Sequence, residues 1–413
     1  MKIGYACIPL TIQATNTRRM LVKDYDEKLL KDLIDKNLDD LKLILMHNKK
    51  NNIDFFRISS NIIPLASHPI NTFNWQEYFK DKLLDIGSYI KTNNIRVSMH
   101  ASHFSILNAK STEVVQNSIK ELQYNCNFLN SLNIDYSNKI ILHVGGLYGD
   151  KILAKKRFIE NFQYLNESLK NRLVIENDEK NFSINDVLEI SSFLNIPVVY
   201  DNLHNICYGD NNYSHKEIYS MVQKTWKNID GNMKVHYSQQ DYGKKIGSHS
   251  KTIFLDDFLT YYNETKDFNA DIMLEVKDKD ISAIKCINSL RELLNLGNLN
   301  PSTTLNEFNK YELLLLEHST HLDQLKFSEE KSIINLYKNI DNILKSPITE
   351  DSFKGALNKS FNILTPYLNN REISHFNNLL YKKENLQSAK TYIGKLAYKH
   401  NVPDIINSYY LSQ

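Results

Sequence analysis

The chain has 413 residues, 42% of them hydrophobic and 24% charged, with 50 Lys and Arg against 48 Asp and Glu for a formal net charge of +2. This is ordinary globular composition with room for two domains, and so balanced a charge argues for neither nucleic acid nor membrane as partner, so any partner field must be local. No apolar run approaches the ~18 residues that a bilayer crossing needs. The opening MKIGYACIPLT has one lysine and no long apolar stretch, so it does not read as a secretory signal. Cys7, Cys126, Cys207 and Cys286 are widely spaced, with no CxxC pair. A reduced intracellular protein is expected, in the cytoplasm or nucleoid if the source is prokaryotic, with no membrane role.

In chain order, short β-branched or aromatic runs alternate with longer helical patterns, the mark of repeated βα units. Strands are expected at 2–6, 54–59, 95–99, 140–144, 173–176, 198–201, 233–236 and 272–275. Between them lie apolar stripes of helical period, such as Leu30, Ile34, Leu38, Leu41 and Leu45, then Val115, Ile119, Leu122, Cys126 and Leu129. A doubly wound open sheet would also fit, but eight units and the placement of polar residues favour a closed (β/α)8 TIM-type barrel over residues 1–297. At Gly297–Ser302 a Gly, Pro and Ser/Thr cluster ends the pattern. A small all-α domain follows over 303–413, with a capping-like start at Ser302-Thr303-Thr304 and helices at 331–345, 350–367 and 372–381.

The chemistry is carried by how the strands end. His100, His143, Glu176 and Asp201 close four successive strands, His204 follows three residues after Asp201, His236 closes the seventh and Glu275 the eighth. His68 follows the second strand, and His249 lies in a Gly-Ser-His loop after the seventh. In a barrel these strand ends and loops converge on one mouth. One such histidine alone is more often a surface or hydrogen-bonded residue than a ligand; repetition along successive strands defeats that reading. Six imidazoles and three carboxylates exceed what one ion needs and suit two or three divalent ions, since zinc and manganese take N and O donors while magnesium prefers oxygen. Such a site supports phosphoester hydrolysis, and equally sugar isomerisation through a polarised carbonyl.

Family resemblance separates these. Gly4-Tyr5-Ala6-Cys7, Thr15-Asn16-Thr17-Arg18, Phe56-Arg57-Ile58-Ser59-Ser60, Ser98-Met99-His100 and Leu142-His143-Val144-Gly145-Gly146 resemble the ultraviolet-damage endonuclease family. So do Ile175-Glu176-Asn177-Asp178, Tyr200-Asp201-Asn202-Leu203-His204, Lys234-Val235-His236-Tyr237-Ser238 and Leu274-Glu275-Val276-Lys277, in order over about residues 1–295. The resemblance implies a metal-dependent barrel acting on double-stranded DNA that contains UV photoproducts. It would cut 5′ of cyclobutane pyrimidine dimers and (6-4) photoproducts, leaving 3′-hydroxyl and 5′-phosphate ends, without an organic cofactor. It implies metal ligation by His68, His100, His143, Glu176, Asp201, His204, His236, His249 and Glu275. Glu176, Glu275 and Lys234 would act in catalysis, Lys234 falling where the family has a lysine that can carry a carboxylate on its amine. Manganese is the first expectation, with zinc or magnesium as alternatives. The three-metal abasic-site endonucleases share several elements, but they lack the histidine at position 143 and have an Asp-x-His where Gly247 and His249 stand here. A relative that binds metal or DNA without cutting is the remaining alternative.

The lesion-probing positions depart from the family. Its usual Gln-Tyr reads His103-Phe104 here, and Pro9 stands where an Asn is common. Phe104 can still act as an apolar wedge, with His103 and Tyr5 expected at the lesion. Lys244 and Lys245 are the favoured phosphate contacts, with Lys151, Lys155, Lys156, Arg157, Lys277 and Lys279 as further candidates. The C-terminal segment, with Lys310-Tyr311-Glu312-Leu313-Leu314, His318, His321 and Asn401-Val402-Pro403-Asp404, resembles the YbgA-like helical domain of unknown function. An accessory role in binding DNA or partners is expected of it.

Overall fold

The computed structural model describes residues 1–102, 104–209, 212–297, 301–319, 330–381 and 386–412. Eight parallel strands, β1 (Ile3–Ala6), β2 (Phe55–Ile58), β3 (Arg96–His100), β4 (Ile140–His143), β5 (Leu173–Glu176), β6 (Val198–Asp201), β7 (Lys234–Tyr237) and β8 (Asp271–Leu274), pair in sequence order. β1 also pairs with β8, which closes the barrel. The expected strands are all present, with ends shifted by about a residue. Glu275 falls just past β8, its N–H donating to the Tyr237 carbonyl at 3.0 Å. At Gly4 the chains approach so closely that a Cβ would stand 1.9 Å from the Phe55 carbonyl oxygen, so the β1–β2 pairing requires glycine there.

Helices α1 (Glu27–Lys50), α2 (Lys80–Thr92), α3 (Thr112–Ser131), α4 (Lys151–Phe162), α5 (Ile184–Leu194), α6 (His215–Gln223), α7 (Leu255–Thr265) and α8 (Asp280–Leu293) follow the successive strands. Local chemistry sets their ends. Asp26, Ser111 and Asp150 cap α1, α3 and α4 by accepting a backbone N–H, and Ser183 with Asp186 forms a capping box on α5. The α1 stripe is fully buried at Leu30, Ile34, Leu38, Leu41, Ile44 and Leu45, as its period requires.

The chain divides into two compact units, one of Met1–Pro9, Gln13–Ile253 and Phe258–Ile284, the other of Leu10–Ile12, Phe254–Asp257 and Lys285–Gln413. The second contains α9 (Pro301–Leu316), α10 (Ile333–Leu344), α11 (Glu350–Leu364), α12 (Asn370–Tyr381) and α13 (Leu386–His400). Its core gathers Ala356, Leu357, Leu364, Phe376, Ile393 and Leu396, with Phe361 stacked on Phe376 at 3.8 Å between ring centroids. Three expectations change here. Ser302–Thr304 lie inside the first turn of α9 rather than capping it, the expected 350–367 helix ends in a 3-10 turn at Thr365–Tyr367, and α13 was not foreseen. His318 binds the Ser346 carbonyl at 2.6 Å, and His321 lies outside the described residues.

Candidate metal centre

Parallel pairing brings the strand ends to one rim, and Glu176 stands at its centre, fully buried. Its Oε2 lies 3.1 Å from His100 Nε2 and 3.6 Å from His143 Nε2. Its Oε1 lies 2.7 Å from His236 Nδ1 and 3.7 Å from His204 Nδ1. His236 Nδ1 is also 3.3 Å from Glu275 Oε1, and His249 Nε2 is 3.8 Å from Glu275 Oε2. Asp201 caps the short helix Asn202–Tyr208 by accepting the His204 N–H at 2.8 Å, which fixes this pair. Three overlapping sets result: His100, His143 and Glu176; Glu176, Asp201 and His204; Glu176, His236 and Glu275. Within each, the donor atoms lie within 4.8 Å of one another.

The electrostatics fit a cationic guest. Burial would raise Glu176, but His236, His143 and His100 hold its carboxyl well below the usual range. Glu275 is likewise held low against its burial, chiefly by Arg57, which forms a salt bridge with it. Burial raises Asp201 and lowers His100, and it pushes His143 down to about 4. His204, despite burial, is pushed up to about 10 by Asp201, Glu176 and Glu275. His100 Nδ1 faces the Ala101 carbonyl at 2.8 Å and can only donate there. In the neutral ring, Nε2 then presents a lone pair toward a carboxylate oxygen, a repulsion that a proton or a metal ion between them relieves. Asp201 Oδ2 and His236 Nε2 are buried with no hydrogen-bond partner among the described residues, each a cost of about 1–3 kcal/mol unless something binds it. This donor set, imidazole and carboxylate with unspent lone pairs, fits borderline divalent ions.

Below this layer, two residues back along β7 and β3, Lys234 Nζ donates to Ser98 Oγ at 3.0 Å and lies 5.2 Å from the centre of the Phe55 ring. It is fully buried. Desolvation first, then Arg57 and Arg96, hold its amine well below the usual lysine range. Arg57 was not foreseen as a site residue. The available signal was a charge inside the otherwise apolar strand Phe-Phe-Arg-Ile.

The rim opens into a cavity of about 930 Å³ whose lining includes Arg57, His100, His143, His204, His249 and Glu275. Phe104, 89% exposed, also lines it, whereas His103 lies outside the described residues. Tyr148, in left-handed backbone (φ 55°), lines the same cavity and is a second aromatic that sequence reasoning missed. Arg157 braces both loops. Its guanidinium lies 5.4 Å from the centre of the Tyr148 ring, and its Nε donates to the Asn108 carbonyl at 2.8 Å in the loop after Phe104. The glycines flanking Tyr148, at positions 146 and 149, were the signal for such a turn.

Several expected residues are placed elsewhere. His68 is exposed in the loop after β2, where its Nδ1 accepts the Ile70 N–H at 3.1 Å, and it joins none of the three sets. Tyr5 is fully buried and donates to Asn48 of α1 at 2.8 Å, so it faces the helix layer and not a lesion. Lys151 and Lys155 pair with Asp186, and Lys156 lies 3.7 Å from Glu160, a solvated helix face. Lys277 pairs with Asp241 at 3.2 Å, and Lys279 is half-buried. Lys244 and Lys245 are exposed on the loop that carries His249.

A closed parallel barrel whose mouth is built from metal-ligand side chains defines the class: a (β/α)8 protein with its chemistry at the C-terminal strand ends. Within that class, the chain belongs to the UV-endonuclease UvdE family, which matches residues 2–309. It is therefore an enzyme, a nuclease of a DNA-repair family. It is 54% identical to the UV DNA damage endonuclease of Clostridium perfringens (strain 13 / Type A) over 414 aligned residues, spanning 100% of both chains. It is 32% identical to that of Bacillus mycoides (strain KBAB4), over 72% of this chain and 94% of the relative. The crystal structure of SacUVDE superimposes with a TM-score of 0.69 at 42% identity, covering 72% of this chain and all of that one.

Proposed function

We propose that this enzyme cuts the backbone of double-stranded DNA immediately 5′ of cyclobutane pyrimidine dimers and (6-4) photoproducts, leaving 3′-hydroxyl and 5′-phosphate ends. It does so with two or three divalent ions, manganese first among them. The observation that carries the reading is Glu176, one buried carboxylate shared by three sets of donors at a barrel mouth. His100, His143, Asp201, His204, His236, His249 and Glu275 complete the set, and His68 is left out of it. When bound, such ions activate a water and neutralise charge on the attacked phosphate.

The chain's own residues do the rest. Arg57 fixes the Glu275 carboxylate by its salt bridge. The Ala101 carbonyl fixes the His100 ring through Nδ1. Lys234, buried and with its amine held well below the usual lysine range, can in its unprotonated form take up carbon dioxide as a carbamate, releasing one proton and adding a further anionic oxygen donor. Phe104, exposed at the rim, enters the gap left by an extruded lesion, whose unstacking costs less than that of normal bases. Lys244 and Lys245 hold phosphates beside it.

The test is supercoiled plasmid, irradiated or not, incubated with the protein and Mn(II), with and without chelator. Chelator-sensitive nicking of irradiated plasmid is expected, with ends that a polymerase extends directly. Nicking of depurinated plasmid alone would replace the proposal with an abasic-site activity, and no nicking at all would refute it.

A further inference from the structure

The helical unit carries a groove of its own. It is a cavity of about 680 Å³, lined by Asn369, by Arg371, Glu372, His375 and Asn378 of α12 and by Tyr392, Lys395 and Lys399 of α13. Arg371, His375 and Asn378 fall at helical spacing on one face, as do Tyr392, Lys395 and Lys399 on the other, so two helix faces turn cationic and hydrogen-bonding side chains into one trough. Its one carboxylate, Glu372, is already used: it accepts the Asn369 N–H at 3.0 Å, Lys399 at 2.6 Å and His400 at 3.1 Å. Arg371 and Lys395 are exposed and have no carboxylate partner among the described residues. The N-terminus of the 12-residue α12 opens on the same trough and adds partial positive charge. Tyr392 packs edge-on to His375 at 4.7 Å between ring centroids, an aromatic pair within the lining.

A small metabolite site encloses its ligand; this groove is open to solvent and lined largely by charged and amide side chains, which suits a polyanion. The Bacillus mycoides enzyme and SacUVDE match 72% of this chain while using 94% and 100% of their own lengths. The family's barrel is thus complete without these helices, and their groove is an addition to it.

We propose that the α12–α13 groove binds the phosphodiester backbone of DNA, with Arg371 and Lys395 as its principal phosphate contacts, as a site separate from the barrel mouth. This rests on DNA being the enzyme's substrate but not on which lesion is cut.

The test uses the full chain in chelator, so that nothing is cut, and measures fluorescence anisotropy of an undamaged duplex across a salt series. The variant is Arg371→Glu with Lys395→Glu, both at exposed positions, with far-UV circular dichroism checking that the helices are retained. A control, Lys28→Glu with Lys50→Glu on α1, changes net charge equally at exposed positions. Relative to the control, the groove variant should bind about tenfold more weakly at low salt, with a log K against log salt slope shallower by about 2. Equal affinity and slope in variant and control would overturn the proposal. So would loss of poly-glutamate binding alone, which would make the groove a site for acidic polypeptide. The lesion reading is tested apart, by nicking of irradiated plasmid with wild-type protein: failure there with the binding loss intact would sink that reading and leave the groove standing.

Discussion

The two ends of the barrel bury comparable charge and treat it in opposite ways. At the N-terminal end, Arg96 donates to Asp271 Oδ2 at 2.9 Å and to the carbonyls of Ser137, Asn232 and Asp230 at 3.0, 2.6 and 3.0 Å. Lys139 pairs there with Asp230 and donates to the Asn171 carbonyl at 2.6 Å. Both of these cations have a carboxylate and backbone acceptors, the pattern of a structural plug. At the C-terminal end, three carboxylates and five imidazoles crowd one rim, and Asp201 Oδ2 and His236 Nε2 remain without partners among the described residues. Buried charge that is completely paired holds a fold together; buried charge left incomplete marks where a guest belongs.

The sharpest way to break this contrast is to remove one charge from each end. Glu176→Gln should lower nicking of irradiated DNA by about 10³-fold, the scale seen when a charge-stabilising group is lost. It should cost the metal-free protein some stability, because the surrounding histidines hold this carboxylate charged, but far less than it costs activity. Arg96→Met should do the reverse, costing about 3–5 kcal/mol by leaving Asp271 unpaired, while the folded fraction keeps its turnover. Urea unfolding beside plasmid nicking measures both; a Glu176 variant that fails to fold would erase the distinction between the ends.

A pH titration sharpens the comparison at intermediate effect. In the metal-free protein His204 is raised from 6.5 to about 10, so its contribution to stability is complete below pH 6.5 and is lost as pH rises toward 10. His143, lowered from 6.5 to about 4, contributes above pH 6.5 and loses that contribution as pH falls toward 4. Thermal unfolding without metal should therefore weaken in both directions from near neutrality. Mn(II) should abolish the alkaline loss, because the ion replaces the proton on His204. The smallest effect is expected from Phe104→Ala. Nicking of irradiated plasmid should fall several-fold to about tenfold, the worth of one base–aromatic stack, with metal content and melting temperature unchanged.

The same contrast explains what could be read from sequence. Ligand-type residues stood out because they end strands of known polarity, and parallel pairing then forces them together. Which face of a strand a side chain takes is harder to read in four-residue elements. Tyr5 turns outward to Asn48 of α1 and Arg57 turns inward to Glu275, and neither direction follows from composition. Arg157 looked like a phosphate contact because its role, bracing the Tyr148 and Phe104 loops, depends on tertiary contacts. Helix α13 escaped notice because its buried face, Ala389, Ile393, Leu396 and Ala397, is half small residues and is diluted by Gly394 and two tyrosines.

The central claim is that the rim holds divalent ions through residues that converge only on folding. Elemental analysis after loading with Mn(II) and desalting tests it most directly. The account predicts two to three manganese ions per wild-type chain and a clear loss of occupancy in Glu176→Gln. Wild-type protein that emerges without metal, or a variant that retains the full complement, would contradict it.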